Sequence, residues 1–80
     1  MGLAAVELVI AFEDAFSVTI VNEDAARMLT PRDVIDFIAV RRPDLGREEI
    51  AATVRELTLR EVAEADYGED KRYAADMGLD

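Results

Sequence analysis

An all-α bundle of four helices is the fold class this sequence predicts, on three observations. Apolar residues recur at helical spacing through residues 3–16 and again through 47–63. Thr30-Pro31-Arg32-Asp33 has the chemistry of a helix start: a capping hydroxyl, a proline where its missing N–H costs nothing, and an acid three positions after the cap. The β-branched run Ser17-Val18-Thr19-Ile20-Val21 is too short to be more than an extended connection. The expected helices are about 3–16, 22–28, 31–41 and 47–63.

The first helix carries two apolar stripes. At 100° per residue Ala5, Leu8, Val9, Phe12 and Phe16 fall on one side, facing the core. Leu3, Val6 and Ile10 fall on the other, among Glu7, Glu13 and Asp14. That second stripe is a short apolar ridge framed by carboxylates, either a docking surface or a face packed under the end of the chain. Glu13 and Asp14 oppose the helix dipole at its C-terminal end, a cost to local stability that suits a binding role.

After Val18 and Ile20, expected to plug the core, Asn22 reads as an N-cap and Glu23 and Asp24 place negative charge on the first turn of a short helix. In the third helix Val34, Phe37 and Ile38 share one face, and Arg41 and Arg42 complement the dipole at the C-terminus. Pro43-Asp44-Leu45-Gly46 is the one linker-like stretch. The fourth helix turns Ile50, Val54, Leu57 and Val62 toward one side, with good helix formers between them.

Composition bounds the function. Eighty residues make one domain, close to the size where apolar burial only just offsets chain entropy. With 51% apolar and 34% charged residues the chain is expected to fold, not to remain disordered. It has no Cys and no His, which excludes disulfides, thiol chemistry, imidazole acid/base catalysis and the usual zinc sites. No apolar run reaches the roughly 20 residues a membrane span requires, and Met1 opens a helix without a basic leader, so a cytoplasmic location and no membrane partner are expected. A net charge of −9 argues against nucleic acid, whose phosphates are bound by Lys and Arg. That excess sits at the two ends: −5 in residues 1–26, 0 in 27–63 and −4 in 64–80. Glu69, Asp70, Asp76 and Asp80 lack the ligand spacing of a calcium loop, and no metal is expected. Without a nucleophile beside a base or a phosphate-cradling glycine run, catalysis is not expected either.

The run VELVIAFEDAF, then SVTI, then NEDAARMLTPRDVIDFI, resembles the acyl carrier proteins from their recognition helix to their last helix. The resemblance spans residues 1–40 without a gap. It implies a four-helix carrier bundle, a partner-binding surface on the first helix here, and a phosphopantetheine arm on a Ser in an Asp-Ser-Leu motif at that helix's start. Aligned on VELV, Gly2 takes the place of that Ser, with Met1 before it and Leu3 after; a looser alignment puts Ala5 there. Neither has a hydroxyl, and the sole Ser of the sequence, Ser17, falls beyond the helix in the slot where the family usually has Gly.

Residues 47–80 resemble the same family's first helix and long loop, placed after its last helix. Tyr73 takes the aromatic position of that loop and Asp76-Met77-Gly78-Leu79-Asp80 its closing pentapeptide, so Asp80 matches the Asp before the missing Ser. A circular permutation is the simplest account, with residues 1–42 and 47–80 as the exchanged parts and 43–46 as the joint. Met1-Gly2-Leu3-Ala4 and Met77-Gly78-Leu79-Asp80 would be the overlap that duplication and trimming leave. The same contacts would also form by helix exchange in a homodimer. The resemblance implies docking on acyl- or peptidyl-processing enzymes through Leu3, Val6, Glu7, Ile10, Glu13, Asp14 and Asp76, with no cofactor expected unless an attachment Ser is restored. A working carrier substituted at Gly2 or Ala5 and a structural homodimer are the alternatives.

Overall fold

The computed structural model describes residues 2–63 and 65–79; Met1 and Asp80, both placed by sequence at the attachment motif, lie outside it. Four helices follow one another: α1 (Leu3–Phe16), α2 (Asn22–Ala25), α3 (Pro31–Arg41) and α4 (Arg47–Glu61), with no strand among the described residues. The all-α class stands, in a form consistent with an acyl-carrier-like helical bundle.

The core forms where α4 packs against both α1 and α3. Leu8, Phe12 and Phe16 enter it from α1, Val34, Ile35 and Ile38 from α3, and Ile50 and Val54 from α4. Leu8, Phe12 and Phe16, and Ile50 and Val54, repeat every four residues, and Ile38 lies four and three positions from Val34 and Ile35, so each helix buries one continuous edge. Full burial of a side chain of this size is worth about 1.5–3 kcal/mol, so these contacts carry most of what holds so short a chain together.

Helix ends follow local chemistry. Thr30 accepts from the Asp33 N–H at 3.2 Å while the Asp33 carboxylate accepts from the Thr30 and Leu29 N–H groups at 3.1 and 3.0 Å, a reciprocal cap with Pro31 at the first position. This cap also shortens α2. The expected helix through Met28 stops at Ala25, because Leu29 and Thr30 must turn out of helical geometry to give their N–H groups to Asp33, and residues 26–29 pass through tight turns. The N-cap of α2 is Val21, with Asn22 already inside the helix. At the end of α1 Ser17 adopts a left-handed conformation at φ 54°, and the Val18 N–H reaches back to the Glu13 carbonyl at 3.2 Å, which explains why Gly would suit that slot.

Arg42 does more than complement its own helix. Its guanidinium donates to the Phe16 carbonyl, closing the C-terminus of α1, and grips Asp44 through two bonds of 2.9 and 2.8 Å. That fork holds the Asp44 carboxyl below its ordinary range. One residue thus ties α1, α3 and the 43–46 joint. Arg41 pairs with Asp24 at 3.6 Å and lies 4.4 Å from the centre of the Phe37 ring, which is half-buried and not a core residue as the spacing suggests.

α4 ends at Glu61, two residues short of expectation, with Val62 as its cap. Its fully buried residues are Ile50, Val54 and Thr58, whereas Leu57 and Val62 are half-buried. A threonine takes the third core position because it has a partner: Thr58 Oγ1 lies 3.0 Å from Tyr73 Oη. Tyr73 belongs to the irregular tail, residues 65–79, which folds back over the bundle and buries Tyr73, Met77 and Leu79. The Tyr73 N–H donates to the Leu29 carbonyl at 2.9 Å, the Arg32 N–H donates to the Glu69 carbonyl at 2.9 Å, and the Leu79 N–H donates to the Tyr73 carbonyl at 2.8 Å. Gly78, at φ 73°, makes the turn that returns Leu79 to the core.

Because burial strands whichever hydroxyl loses its partner, Thr58→Val is expected to cost about 1–3 kcal/mol. Tyr73→Phe is expected to cost less, since a helical Thr can turn its hydroxyl to a carbonyl one turn back. Urea unfolding should place the double variant above Thr58→Val alone; an additive loss would contradict the pairing.

Candidate functional site

Two surfaces stand out, and both are built on α1. The first is the ridge. Leu3 is 74% exposed, Ile10 49% and Val6 38%, so among the described residues the stripe opposite the core is left largely open. Glu7 and Asp14 are exposed beside it. Glu61, half-buried at the end of α4, comes against Glu7: loss of solvent and the neighbouring Glu7 carboxyl, through a shared hydrogen bond and its charge, raise the Glu61 pKa above its ordinary 4.5. The acidic border of the ridge therefore draws on α4 as well as α1, a contribution that periodicity within one helix does not reveal.

Two of the acids expected at the docking surface have other work. The half-buried Glu13 carboxylate accepts from the Ile20 N–H at 2.8 Å and pins the 17–21 connection to α1, so its place near the helix C-terminus has a structural reason and the inference from its adverse dipole does not hold for it. Asp76 is exposed, but its carboxylate accepts from the Arg72 N–H at 2.7 Å and closes a turn of the tail.

The second surface is a cavity of about 450 Å³ on the other flank of α1. Ala5, Leu8, Val9 and Phe12 form its wall on that helix, and Ala26, Met28 and Leu29 form the side after α2. Ala74, Ala75 and Leu79 of the tail close it, with Arg72 as the charged residue of the lining. Sequence reasoning missed this space; the signal was two Ala-Ala pairs, Ala25-Ala26 and Ala74-Ala75, too small to fill the gap between α1 and the tail.

Gly2 is the N-cap of α1 and makes no side-chain cap, Leu3 follows on the open surface, and Ala5 is half-buried in the cavity wall. Residues 2–5 offer no hydroxyl, so a phosphopantetheine arm has no acceptor atom among them; Ser17 lies at the opposite end of α1. Ala5 and Leu79, from opposite ends of the chain, line the same cavity. Glu69 lies within 3.7–3.9 Å of Arg47 and Arg32, and no group of three or more acids among the described residues is placed to hold a metal ion. No described helix is long and apolar enough to cross a membrane.

Against known proteins, the chain is 44% identical over 37 residues to an acyl carrier protein of Desulforapulum autotrophicum, a match covering 46% of this chain and 48% of that protein. The match spans about half the length of this relative. No family model matches, and no solved structure does. An acyl-carrier-like domain is the reading this likeness supports.

A carboxyl whose pKa is raised on folding weakens the fold while ionised and ceases to do so as pH falls through its range. Glu61→Gln is therefore expected to raise the thermal midpoint at pH 7, with the advantage shrinking as pH drops toward and below the ordinary Glu value of 4.5. Melting curves at pH 7, 5.5 and 4 check this, and a constant or growing advantage on acidification would contradict it.

Proposed function

We propose that this chain is an acyl-carrier-like domain in permuted order that has lost the phosphopantetheine attachment Ser and acts by docking. Its partners are acyl- or peptidyl-processing enzymes, held at the Leu3, Val6 and Ile10 ridge with Glu7 and Asp14 beside it. The single observation behind this reading is that ridge: three apolar side chains left open on the helix whose sequence resembles the family's recognition helix, bordered by carboxylates. An exposed apolar strip with a charged rim is the anatomy of a binding surface, the apolar centre supplying affinity and the rim supplying steering and orientation. A partner of this kind presents an apolar pocket ringed by Lys and Arg. Support for the permuted order comes from α4 packing on α1 and α3 within one chain, and from Ala5 and Leu79 meeting at one cavity. Nucleic acid is a poor partner for a chain of net charge −9.

One observation favours the alternative of a working carrier whose Ser is substituted here: Gly2 caps α1 with an extended backbone at φ −73° and no side-chain bond, the kind of position that Ser prefers. Incubation of the wild type, Gly2→Ser and Ala5→Ser with coenzyme A and a broad-specificity transferase separates the two readings by intact mass. The docking reading expects no change in the wild-type mass, and a phosphopantetheine adduct on it would overturn the loss of the site. Binding to immobilised ketosynthases, ligases and acyltransferases then tests docking directly. Ile10→Lys is expected to weaken the wild-type interaction about tenfold or more, and added salt to weaken it further. Equal binding by wild type and Ile10→Lys to every enzyme bound would contradict the assigned face, and binding to none would contradict the function.

A further inference from the structure

The tail is joined to the helices through few atoms, and most of them belong to one residue. Tyr73 donates its backbone N–H to the Leu29 carbonyl at 2.9 Å, accepts the Leu79 N–H on its own carbonyl at 2.8 Å, and sets its hydroxyl 3.0 Å from Thr58 Oγ1. A second backbone bond crosses nearby, from the Arg32 N–H to the Glu69 carbonyl at 2.9 Å. Within residues 65–79 the remaining backbone bonds are short turns, Lys71 to Gly68 and Asp76 and Met77 to Arg72, which protect little once the tail has lifted. The ion pairs of Glu69 with Arg32 and Arg47, at 3.9 and 3.7 Å, are solvated and add little.

Both crossing backbone bonds end at the start of α3. Arg32 lies in the first turn, where no helical carbonyl can serve its N–H, so the Glu69 carbonyl takes part in capping the helix. The Leu29 carbonyl that receives Tyr73 and the Thr30 N–H belong to one planar peptide. The Asp33 carboxylate accepts that Thr30 N–H at 3.1 Å and the Leu29 N–H at 3.0 Å, and so aims the carbonyl on the far side of the plane at Tyr73. The other half of the cap, Thr30 Oγ1 accepting from the Asp33 N–H at 3.2 Å, serves α3 alone.

We infer that residues 65–79 form a strap that opens and closes as one unit while α1, α3 and α4 stay folded, and that Asp33 is the positioning residue that holds it shut. Tyr73 makes the opening cooperative, because lifting it releases the Leu29 bond, the Thr58 contact and the turn to Leu79 together. The helices keep their own core when it lifts, since Leu8, Phe12, Phe16, Val34, Ile35, Ile38, Ile50 and Val54 all come from α1, α3 and α4. The open form bares Thr58 and the first turn of α3 and presents Leu3, Val6 and Ile10 as before. The device uses neither the ridge nor an attachment Ser, so it stands or falls apart from the docking reading.

Native-state hydrogen exchange of the full chain in increasing, sub-denaturing urea reads the opening amide by amide. The Arg32, Tyr73 and Leu79 amides are expected to exchange through one shared opening of weak urea dependence, and those of Ile35 and Val54 through global unfolding of steep dependence. Ile38→Val thins the helical core in the open and closed forms alike, so it is expected to speed Ile35 and Val54 about fivefold and to leave Arg32, Tyr73 and Leu79 unchanged. Thr30→Ala, which removes the half of the cap that serves α3 alone, is expected to act in the same way. Asp33→Ala is expected to speed the three tail-seam amides about fivefold as well. The inference is overturned if those three amides follow Ile35 and Val54 in urea and in Ile38→Val, if they open separately or lack protection, or if Asp33→Ala leaves them unchanged. Circular dichroism confirms that each variant folds.

Discussion

Everything in this molecule depends on one helix being covered on one side and left bare on the other. α1 is apolar on both flanks, and a chain of 80 residues has one further long helix, α4, with which to cover it. By packing on α1 and α3 together, α4 buries Phe12 and Phe16 and leaves Leu3, Val6 and Ile10 in the open. In a domain near the lower size limit for a self-sufficient core, leaving that surface uncovered is a substantial sacrifice, which is why it reads as a place for another molecule.

The tail completes the arrangement by a different kind of interaction. Residues 65–79 have no helix to align them and cannot bury a continuous apolar edge, so they depend on point attachments: the Thr58–Tyr73 hydroxyl contact inside the core and backbone bonds to Leu29 and Arg32 outside it. The buried pair is unforgiving on the tail's side, because the Tyr73 hydroxyl left without Thr58 bears the full cost of desolvation. It fixes the tail in one place, and the small side chains of Ala74 and Ala75 then leave the cavity beneath it. The same attachment that closes the bundle therefore shapes its second surface.

How far this was legible in the sequence follows from which forces act locally. α1, α3 and α4 are written in apolar spacing, and the start of α3 in the Thr30-Pro31-Asp33 cap, so their positions could be read to within a residue or two. α2 was read too long because its end is set by Asp33, which belongs to the next helix and draws Leu29 and Thr30 out of line. Thr58 takes a core position that apolar spacing does not mark, because the partner that lets a hydroxyl be buried there lies 15 positions away. The exposure of Leu3, Val6 and Ile10 was an open alternative that only the placement of α4 and the tail decides. Helical spacing puts Glu13 beside the ridge and its adverse dipole suggests a binding role, whereas its carboxylate serves the 17–21 connection, and Glu61, which does border the ridge, lies 54 residues from Glu7. The cavity had no sequence signature beyond two pairs of alanines, since an empty space is made by what side chains fail to reach.

The central claim is that α4 and the tail close over α1 of their own chain. An isotope-filtered nuclear Overhauser experiment on an equimolar mixture of labelled and unlabelled protein, mixed by unfolding and refolding, tests it most directly. Contacts from the Tyr73 ring to Thr58 and from Ile50 and Val54 to Phe12 are expected in the uniformly labelled sample and absent from the filtered spectrum of the mixture. Their appearance between labelled and unlabelled chains would show that the core is completed by a second copy, and their absence from both would show that α4 and the tail do not close over α1 at all.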